Sequence, residues 1–167
     1  MTVSFDLDDL LILSDKKAAT EPGGFLQRIL GIEPLRSGTK DLFAALRKNG
    51  HKIFIYTTSF RSERRIRLTF LLQGLKIDRI INQNEHDRIC RRNNIRYSKY
   101  PPAFGIDVHV DDLPGVGIEA QRSGYEAIII DPNDPQWTIK ILTRLSYLEN
   151  PLRTSTENPS ADNGTAK

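Results

Sequence analysis

The sequence predicts an α/β protein in which about five parallel strands form a doubly wound sheet within a single domain. Short apolar segments alternate with amphipathic helical segments along the chain. Several of the apolar segments run directly into acidic or hydroxyl side chains. A length of 167 residues fits one domain, since domains average about 150 residues. In such sheets ligands bind beyond the carboxyl ends of the strands, so the polar strand ends indicate a site.

The first elements follow from apolar runs and from helix and turn signals. Residues 3–7 are an apolar strand candidate. Proline and glycine interrupt residues 9–38, which predicts a loop-rich insert with one short amphipathic piece at 25–30. A helix is then predicted to begin at Thr39, as its cap, and to stop at Gly50.

The middle of the chain continues the alternation of strand and helix. Residues 52–57 are rich in β-branched and aromatic side chains and predict a buried strand. A helix is predicted over 62–73 because Gly74 ends its pattern, and a short strand over 79–82.

The last third is predicted to contain two strands, two helices and a tail. Their order is strand 106–110, helix 116–122, strand 126–130 and helix 135–148. Residues 150–167 are polar and almost free of apolar side chains, which predicts a disordered tail after a domain of residues 1–149.

Composition excludes several classes of protein. The longest apolar runs, 10–13 and 127–130, are far shorter than the roughly 20 residues that cross a bilayer, so no membrane partner is expected. The amino terminus lacks the basic start of a signal peptide, which predicts a cytoplasmic protein. The single cysteine, Cys90, cannot form an intramolecular disulfide, as is typical of a reducing compartment.

Charge is unevenly distributed, although the net charge is only +3. Residues 61–99 hold eleven basic and four acidic side chains. Such a segment could face a phosphate-rich partner such as a nucleic acid. A solvated helix surface is the simpler interpretation, because the cations are scattered over several predicted elements.

The candidate site residues lie at or near the predicted strand ends: Asp6, Asp8, Thr57, Thr58, Lys99, Asp111 and Asp112. Carboxylates that converge in a partly dry cleft repel one another and require a hard cation such as Mg²⁺. Of two carboxylates two residues apart, one can attack phosphorus while the other protonates the leaving oxygen. A threonine hydroxyl and a lysine ammonium can bind the phosphoryl oxygens. These residue types together predict phosphoryl transfer.

Two of these choices stay open at the level of sequence. Thr57 and Thr58 are adjacent, so either hydroxyl could be the phosphate ligand. Lys99 competes with Arg91, Arg92 and Arg96 for the role of the cation.

The motifs resemble those of the haloacid-dehalogenase-like (HAD-like) hydrolase superfamily. The first motif is Phe5-Asp6-Leu7-Asp8-Asp9-Leu10 and the second is Ile53-Phe54-Ile55-Tyr56-Thr57. The third is the single lysine, Lys99, and the fourth is Val108-His109-Val110-Asp111-Asp112. The resemblance covers about residues 3 to 131 and implies a Rossmann-like sheet.

The resemblance also implies roles for these residues and a Mg²⁺ cofactor. Asp6 would be the nucleophile, Asp8 the general acid and base, and Thr57 and Lys99 the phosphate ligands. The metal would lie among Asp6, Asp8, Asp111 and Asp112. An acid at position 8 is typical of the phosphatase and phosphotransferase members, so a phosphoric-ester hydrolase is implied.

Two departures from the family pattern concern the metal. Leu10 stands where the pattern usually has Thr or Val, and Val116 stands where another version of the fourth motif has an acid. Both predict a weaker hold on the metal. Only residues 9–38 and 74–98 are available for a specificity cap, which is too little for a cap domain and predicts an open cleft for a small or macromolecular phosphorylated substrate.

Two other functions fit parts of the sequence. A response-regulator receiver uses similar residue types, but the order of the lysine and the last acidic pair differs here. A catalytically idle scaffold that binds nucleic acid or a protein through residues 61–99 is the second alternative.

The remaining reactive side chains have simpler interpretations. His51, His86 and His109 share no metal-ligand spacing, which predicts structural or surface roles. Cys90 is interpreted as a small packed side chain with no suitable histidine beside it.

Overall fold

The computed structural model describes residues 1–15 and 19–151. Its five strands are β1 (Thr2–Phe5), β2 (Lys52–Tyr56), β3 (Arg79–Ile81), β4 (Val108–Asp111) and β5 (Glu126–Ile129). They form one all-parallel sheet in the order β3-β2-β1-β4-β5. The predicted α/β, Rossmann-like sheet of five parallel strands is confirmed. The predicted tail, apart from its first two residues, lies outside the described residues.

Within the described residues, five helices and one 3₁₀ turn lie between these strands, and a sixth helix follows β5. They are α1 (Phe25–Ile29), α2 (Thr39–Lys48), α3 (Glu63–Leu71), α4 (Gln83–Arg92), the 3₁₀ turn Pro101–Phe104, α5 (Pro114–Ser123) and α6 (Trp137–Glu149). All predicted helices are present within a few residues of their predicted ends. Within residues 1–15 and 19–151, no helix is both long and apolar enough to cross a membrane.

Side chains that alternate along β2 reach two separate apolar clusters. Ile53 and Ile55 belong to the larger cluster, which also contains buried side chains of α2, α3 and α6. Tyr56 belongs to the smaller one, with Phe104 and Ile106, and partly buried Phe54 packs against it. Successive side chains of a strand point to opposite faces, so both faces of this sheet are covered.

Helix α4 was not predicted, because Ile89 and Cys90 are its only apolar residues. Only His86 and Cys90 are buried along it. A start signal is nevertheless present, since the Asn82 side chain caps the helix by accepting from the Glu85 N–H at 3.1 Å. An Asn followed three residues later by Glu is a typical helix start.

The insert 9–38 is tied to the core more closely than its composition suggests. Leu10, Leu11 and Leu35 are fully buried, and the Arg36 N–H donates to the Leu11 carbonyl at 2.7 Å. The prediction that Thr39 caps α2 was wrong. Gly38 is the cap residue with φ 88°, a left-handed conformation that favours glycine, and the Thr39 hydroxyl donates to the Arg36 carbonyl at 2.6 Å.

Candidate active site

The sheet register brings the ends of three strands together. Phe5 pairs with Ile55 on one side and with Val110 on the other. The next residue of each strand therefore emerges at the same edge, and these residues are Asp6, Tyr56 and Asp111. This edge is where ligands bind in open parallel sheets.

Lys99 is the cation at this edge, and its side chain is only 2% exposed. Its ammonium lies 2.6 Å from Asp6 Oδ1, 2.8 Å from the Tyr56 carbonyl oxygen and 3.3 Å from Asp111 Oδ2. An ammonium has three hydrogens, so all three are used. The competing cations Arg91, Arg92 and Arg96 are all exposed. Lys99 is therefore not the surface lysine that its sequence position alone would allow.

Asp6 is buried to 7% exposure and shares its single cation with a second carboxylate. Burial raises its pKa, the charge of Lys99 lowers it and the charge of Asp111 raises it again, so that the pKa of Asp6 reaches about 6. One ammonium cannot neutralise two carboxylates. The edge consequently holds excess negative charge around Asp6.

Asp111 is held entirely by protein donors. Its Oδ1 accepts from the Leu113 N–H at 2.9 Å, and its Oδ2 lies 3.0 Å from His109 Nε2 as well as near Lys99. Although burial alone would raise the pKa of Asp111, the His109 hydrogen bond and the charge of Lys99 lower it to about 2. Asp111 is therefore ionised and directed at Lys99.

His109 and Ser4 extend this arrangement into the sheet. Burial lowers the pKa of His109 to about 4 despite the nearby carboxylate, so its ring is neutral at pH 7. An ionised Asp111 can only accept, so His109 Nε2 carries the hydrogen. His109 Nδ1 is then the acceptor, and the Ser4 hydroxyl donates to it at 2.8 Å.

Thr57 and Thr58 differ sharply in position. Thr57 is 1% exposed and follows β2 directly, whereas Thr58 is exposed. The Thr57 hydroxyl oxygen accepts from the Ser59 N–H at 3.1 Å. Because the oxygen is occupied as an acceptor, the hydroxyl hydrogen is available to an anion.

Asp8 is turned toward the insert and a neighbouring loop. Its Oδ1 accepts from Arg61 Nη1 in a close ion pair, and Arg61 Nη2 lies 3.3 Å from Glu33 Oε1. Beside them lies a cleft of about 470 Å³, which the following residues line: Asp8, Ile12, Leu13, Ser14, Asp15, Thr20, Glu33, Pro34 and Arg61. A group bound next to Asp8 would occupy this mixed polar and apolar space.

The oxygen donors at this edge are of the type that holds Mg²⁺. Burial and the charges of Asp111 and Asp9 raise the pKa of Asp112, as burial raises that of Asp6, and a divalent cation would reverse both effects. Among residues 1–15 and 19–151, no three His, Cys, Asp or Glu side chains already converge as a metal cage. The donor chemistry of Asp6 and Asp112 fits the ion, whereas Asp111 is committed to protein donors.

The two residues that depart from the family pattern, Leu10 and Val116, are both buried in the structure. Leu10 is fully buried in the larger cluster, and Val116 is 2% exposed in the first turn of α5. An acid in place of Val116 would cost free energy as a buried charge.

Two contacts here were missed by reasoning from sequence. The first is the contact between His109 and Asp111, because sequence reasoning gave His109 only a general structural or surface role. Residues two apart share one face of a strand, but their spacing does not indicate which face that is or that the two side chains are hydrogen-bonded. The second is a histidine next to Cys90, since His86 Nδ1 lies 3.6 Å from Cys90 Sγ one turn earlier on α4. Burial raises the pKa of Cys90 and lowers that of His86, so both stay neutral and the pair is not an activated nucleophile.

Comparisons with known proteins give a structural likeness. No protein-family model matches the chain, and no curated protein matches it. The chain is similar to a solved structure described as a predicted HAD-like family hydrolase from Porphyromonas gingivalis, with 17% identity and a TM-score of 0.48, over 87% of this chain and 97% of that chain. At this identity and TM-score the likeness assigns no activity or residue role to this chain.

Proposed function

We propose that the protein is a Mg²⁺-dependent phosphatase or phosphotransferase of the HAD-like type, which works through an aspartyl-phosphate on Asp6. The observation that carries the proposal is the buried Lys99 ammonium, fixed between Asp6 and Asp111 at the carboxyl edge of the sheet. A single cation shared by two carboxylates leaves a partly protonated, poorly compensated Asp6. Such an environment is typical of catalytic groups.

The first half of the reaction uses Asp6, Asp8 and two phosphate ligands. An oxygen of Asp6 attacks phosphorus, the bond from phosphorus to the leaving oxygen breaks, and Asp8 gives that oxygen its proton. The Thr57 hydroxyl donates to a transferred phosphoryl oxygen, and the positive charge of the adjacent Lys99 ammonium stabilises the transferred phosphoryl group. Lys99 engages Asp6 Oδ1, which assigns the attack to Oδ2.

The second half returns Asp6 to its starting state. The Asp8 carboxylate takes a proton from water, whose oxygen attacks phosphorus and displaces Asp6 as a carboxylate. Asp8 ends protonated and ready for the next ester. With an alcohol in place of water, the same step is a phosphotransfer.

Asp6 and Asp112 would hold the metal by their carboxylates, and the family resemblance adds the main-chain carbonyl of Asp8. When bound, Mg²⁺ keeps Asp6 ionised and neutralises charge on the phosphoryl oxygens. The buried Asp111 contributes by holding Lys99 in place.

A phosphorylated substrate is the proposed partner, with its leaving group in the cleft beside Asp8. The alternative, an idle scaffold that binds through residues 61–99, is not favoured. Several cations of this segment are paired within it, as in Arg67 with Glu63, Arg79 with Glu85 and Arg91 with Asp87. Nucleic-acid binding that falls steeply with salt and survives Asp6→Asn would support the scaffold instead.

A phosphate-ester panel with Mg²⁺, and with the metal chelated, tests the proposal. We expect turnover that requires Mg²⁺ and is lost in Asp6→Asn, because an amide cannot form the aspartyl-phosphate. The matched control is Asp41→Asn, an equal change at an exposed position in the first turn of α2. Turnover in Asp6→Asn equal to that of the wild type would exclude Asp6 as the nucleophile.

The role of Asp8 is tested by the leaving group. Asp8→Asn should slow turnover by about 10² to 10⁴, and more for an alkyl phosphate than for an activated aryl phosphate, since a poor leaving group needs the proton. Equal losses on both esters together with a collapse of Mg²⁺ affinity would show that Asp8 is a side-chain metal ligand.

A further inference from the structure

We propose that Arg61 is a positioning residue for Asp8, holding that carboxylate where it exchanges its proton with the leaving group. The inference rests on the proposed function. Arg61 Nη1 donates to Asp8 Oδ1 and also lies 3.5 Å from the Ser59 hydroxyl, while Nη2 lies 3.3 Å from Glu33 Oε1. One guanidinium therefore joins the candidate acid to the loop after β2 and to the insert.

The main chain of Arg61 is itself fixed close to the site. Its N–H donates to the Ser59 hydroxyl at 3.2 Å, and its carbonyl accepts from Asn82 Nδ2 at 3.0 Å. Asn82 is the cap of α4, and Ser59 also bonds the Thr57 hydroxyl. The main chain of Arg61 is therefore anchored to the loop after β2 that carries Thr57.

Asp8 needs such a partner because its side chain is 44% exposed, whereas that of Arg61 is 27% exposed. An exposed carboxylate loses rotamer entropy when it is held in one orientation. A guanidinium is rigid and can bond two carboxylates at once, so Glu33 and Ser59 fix the donor that in turn fixes Asp8. Most exposed ion pairs lack this second set of anchors and contribute little.

Arg65 provides a matched control within the same network. Its guanidinium lies 3.9 Å from Glu33 Oε2 and donates to the Gly31 carbonyl at 3.2 Å, so it also ties the insert to this region. Its described contacts are with the insert and not with Asp8. Arg65→Ala therefore reports the effect of loosening the insert alone.

The experiment compares Arg61→Ala, Arg65→Ala and Asp8→Asn on an aryl and an alkyl phosphate. We expect Arg61→Ala to lower kcat by about 10-fold to 10², as a misplaced catalytic group does, with KM little changed. The loss should be larger on the alkyl ester, as for Asp8→Asn, and Arg65→Ala should keep the wild-type kcat. Added guanidinium ion should restore part of the activity of Arg61→Ala but none of that of Asp8→Asn.

The double variant Arg61→Ala/Asp8→Asn decides whether Arg61 acts through Asp8. If it does, the second substitution adds almost nothing to the loss in Asp8→Asn. Additive losses, or a loss in Arg61→Ala that lies in KM, would show that Arg61 binds the substrate directly and would overturn the inference. Circular dichroism and thermal unfolding of each variant separate these effects from misfolding.

Failure of this inference is distinguishable from failure of the proposed function. If Asp6→Asn retains turnover, the phosphatase proposal falls and the role of Arg61 falls with it. If Asp6→Asn is inactive while Arg61→Ala behaves as Arg65→Ala does, only the role of Arg61 is refuted.

Discussion

Replacing Asp6 with Asn should stabilise the fold increasingly as the pH rises. In the folded protein, burial raises the pKa of Asp6 from 3.8 to about 6. A raised pKa means that the folded state binds the proton more tightly than the unfolded chain does. The stabilisation that this tighter proton binding gives the fold is fully present below pH 3.8 and is lost as the pH rises through about 6.

The magnitude follows from that difference in pKa. Each pKa unit is worth about 1.4 kcal/mol, so ionisation of Asp6 costs the fold about 3 kcal/mol. Asp6 is almost completely buried, so solvent screens little of this cost. Asn does not titrate. The free energy of unfolding of Asp6→Asn, minus that of the wild type, should therefore increase by most of about 3 kcal/mol from about pH 4 to about pH 7.5.

Urea unfolding at a series of pH values, with divalent metal chelated, measures this difference. The lowered pKa of His109 makes both proteins more stable as the pH rises from about 4 to 6.5, and this contribution cancels in the comparison. Asp41→Asn, the same change at an exposed position, is the control. A difference between Asp6→Asn and the wild type that is constant or shrinks with pH would refute the assignment of an uncompensated, buried Asp6.

The other predictions concern the phosphate ligand, the buried histidine and the tail. Thr57→Val should lower kcat by about 10² through loss of one donor, while Thr58→Val changes kcat far less, and steady-state kinetics on the best ester checks both. His109→Phe should destabilise the fold by about 3 kcal/mol or more, as measured by thermal unfolding, because two buried partners lose their hydrogen bonds. Truncation after Asn150 should leave the Tm and turnover nearly unchanged, since the removed sequence has few apolar side chains to bury.

The local sequence was sufficient to predict the strands and the acids that follow them. Apolar, β-branched runs such as 52–57 have few alternatives to a buried strand, and Asp6 and Asp111 stand directly after such runs. Helix α4 was missed because a helix that buries only His86 and Cys90 carries no apolar stripe. The Asn82 cap signal of α4 was nevertheless present in the sequence. A helix predicted from it would have placed His86 and Cys90, which are four residues apart, on the same face.

The choice among equivalent side chains required the tertiary structure. Lys99, Arg92 and Arg96 are all cations of one basic segment, and only packing shows that the ammonium of Lys99 alone is buried between two carboxylates. Thr57 and Thr58 are likewise identical in chemistry, and the end of β2 decides which one is buried.

The sequence by itself determined the fold class and the acids at the strand ends, because hydrophobic periodicity and strand-end acids are local properties of the chain, and the family resemblance then implied Asp6 as the nucleophile. Only the tertiary structure decided what surrounds those acids. Lys99 lies 93 residues from Asp6, and Arg61 lies 53 residues from Asp8. Charge compensation and pKa depend on distances and burial across such separations, and those are set when the sheet and the insert pack together.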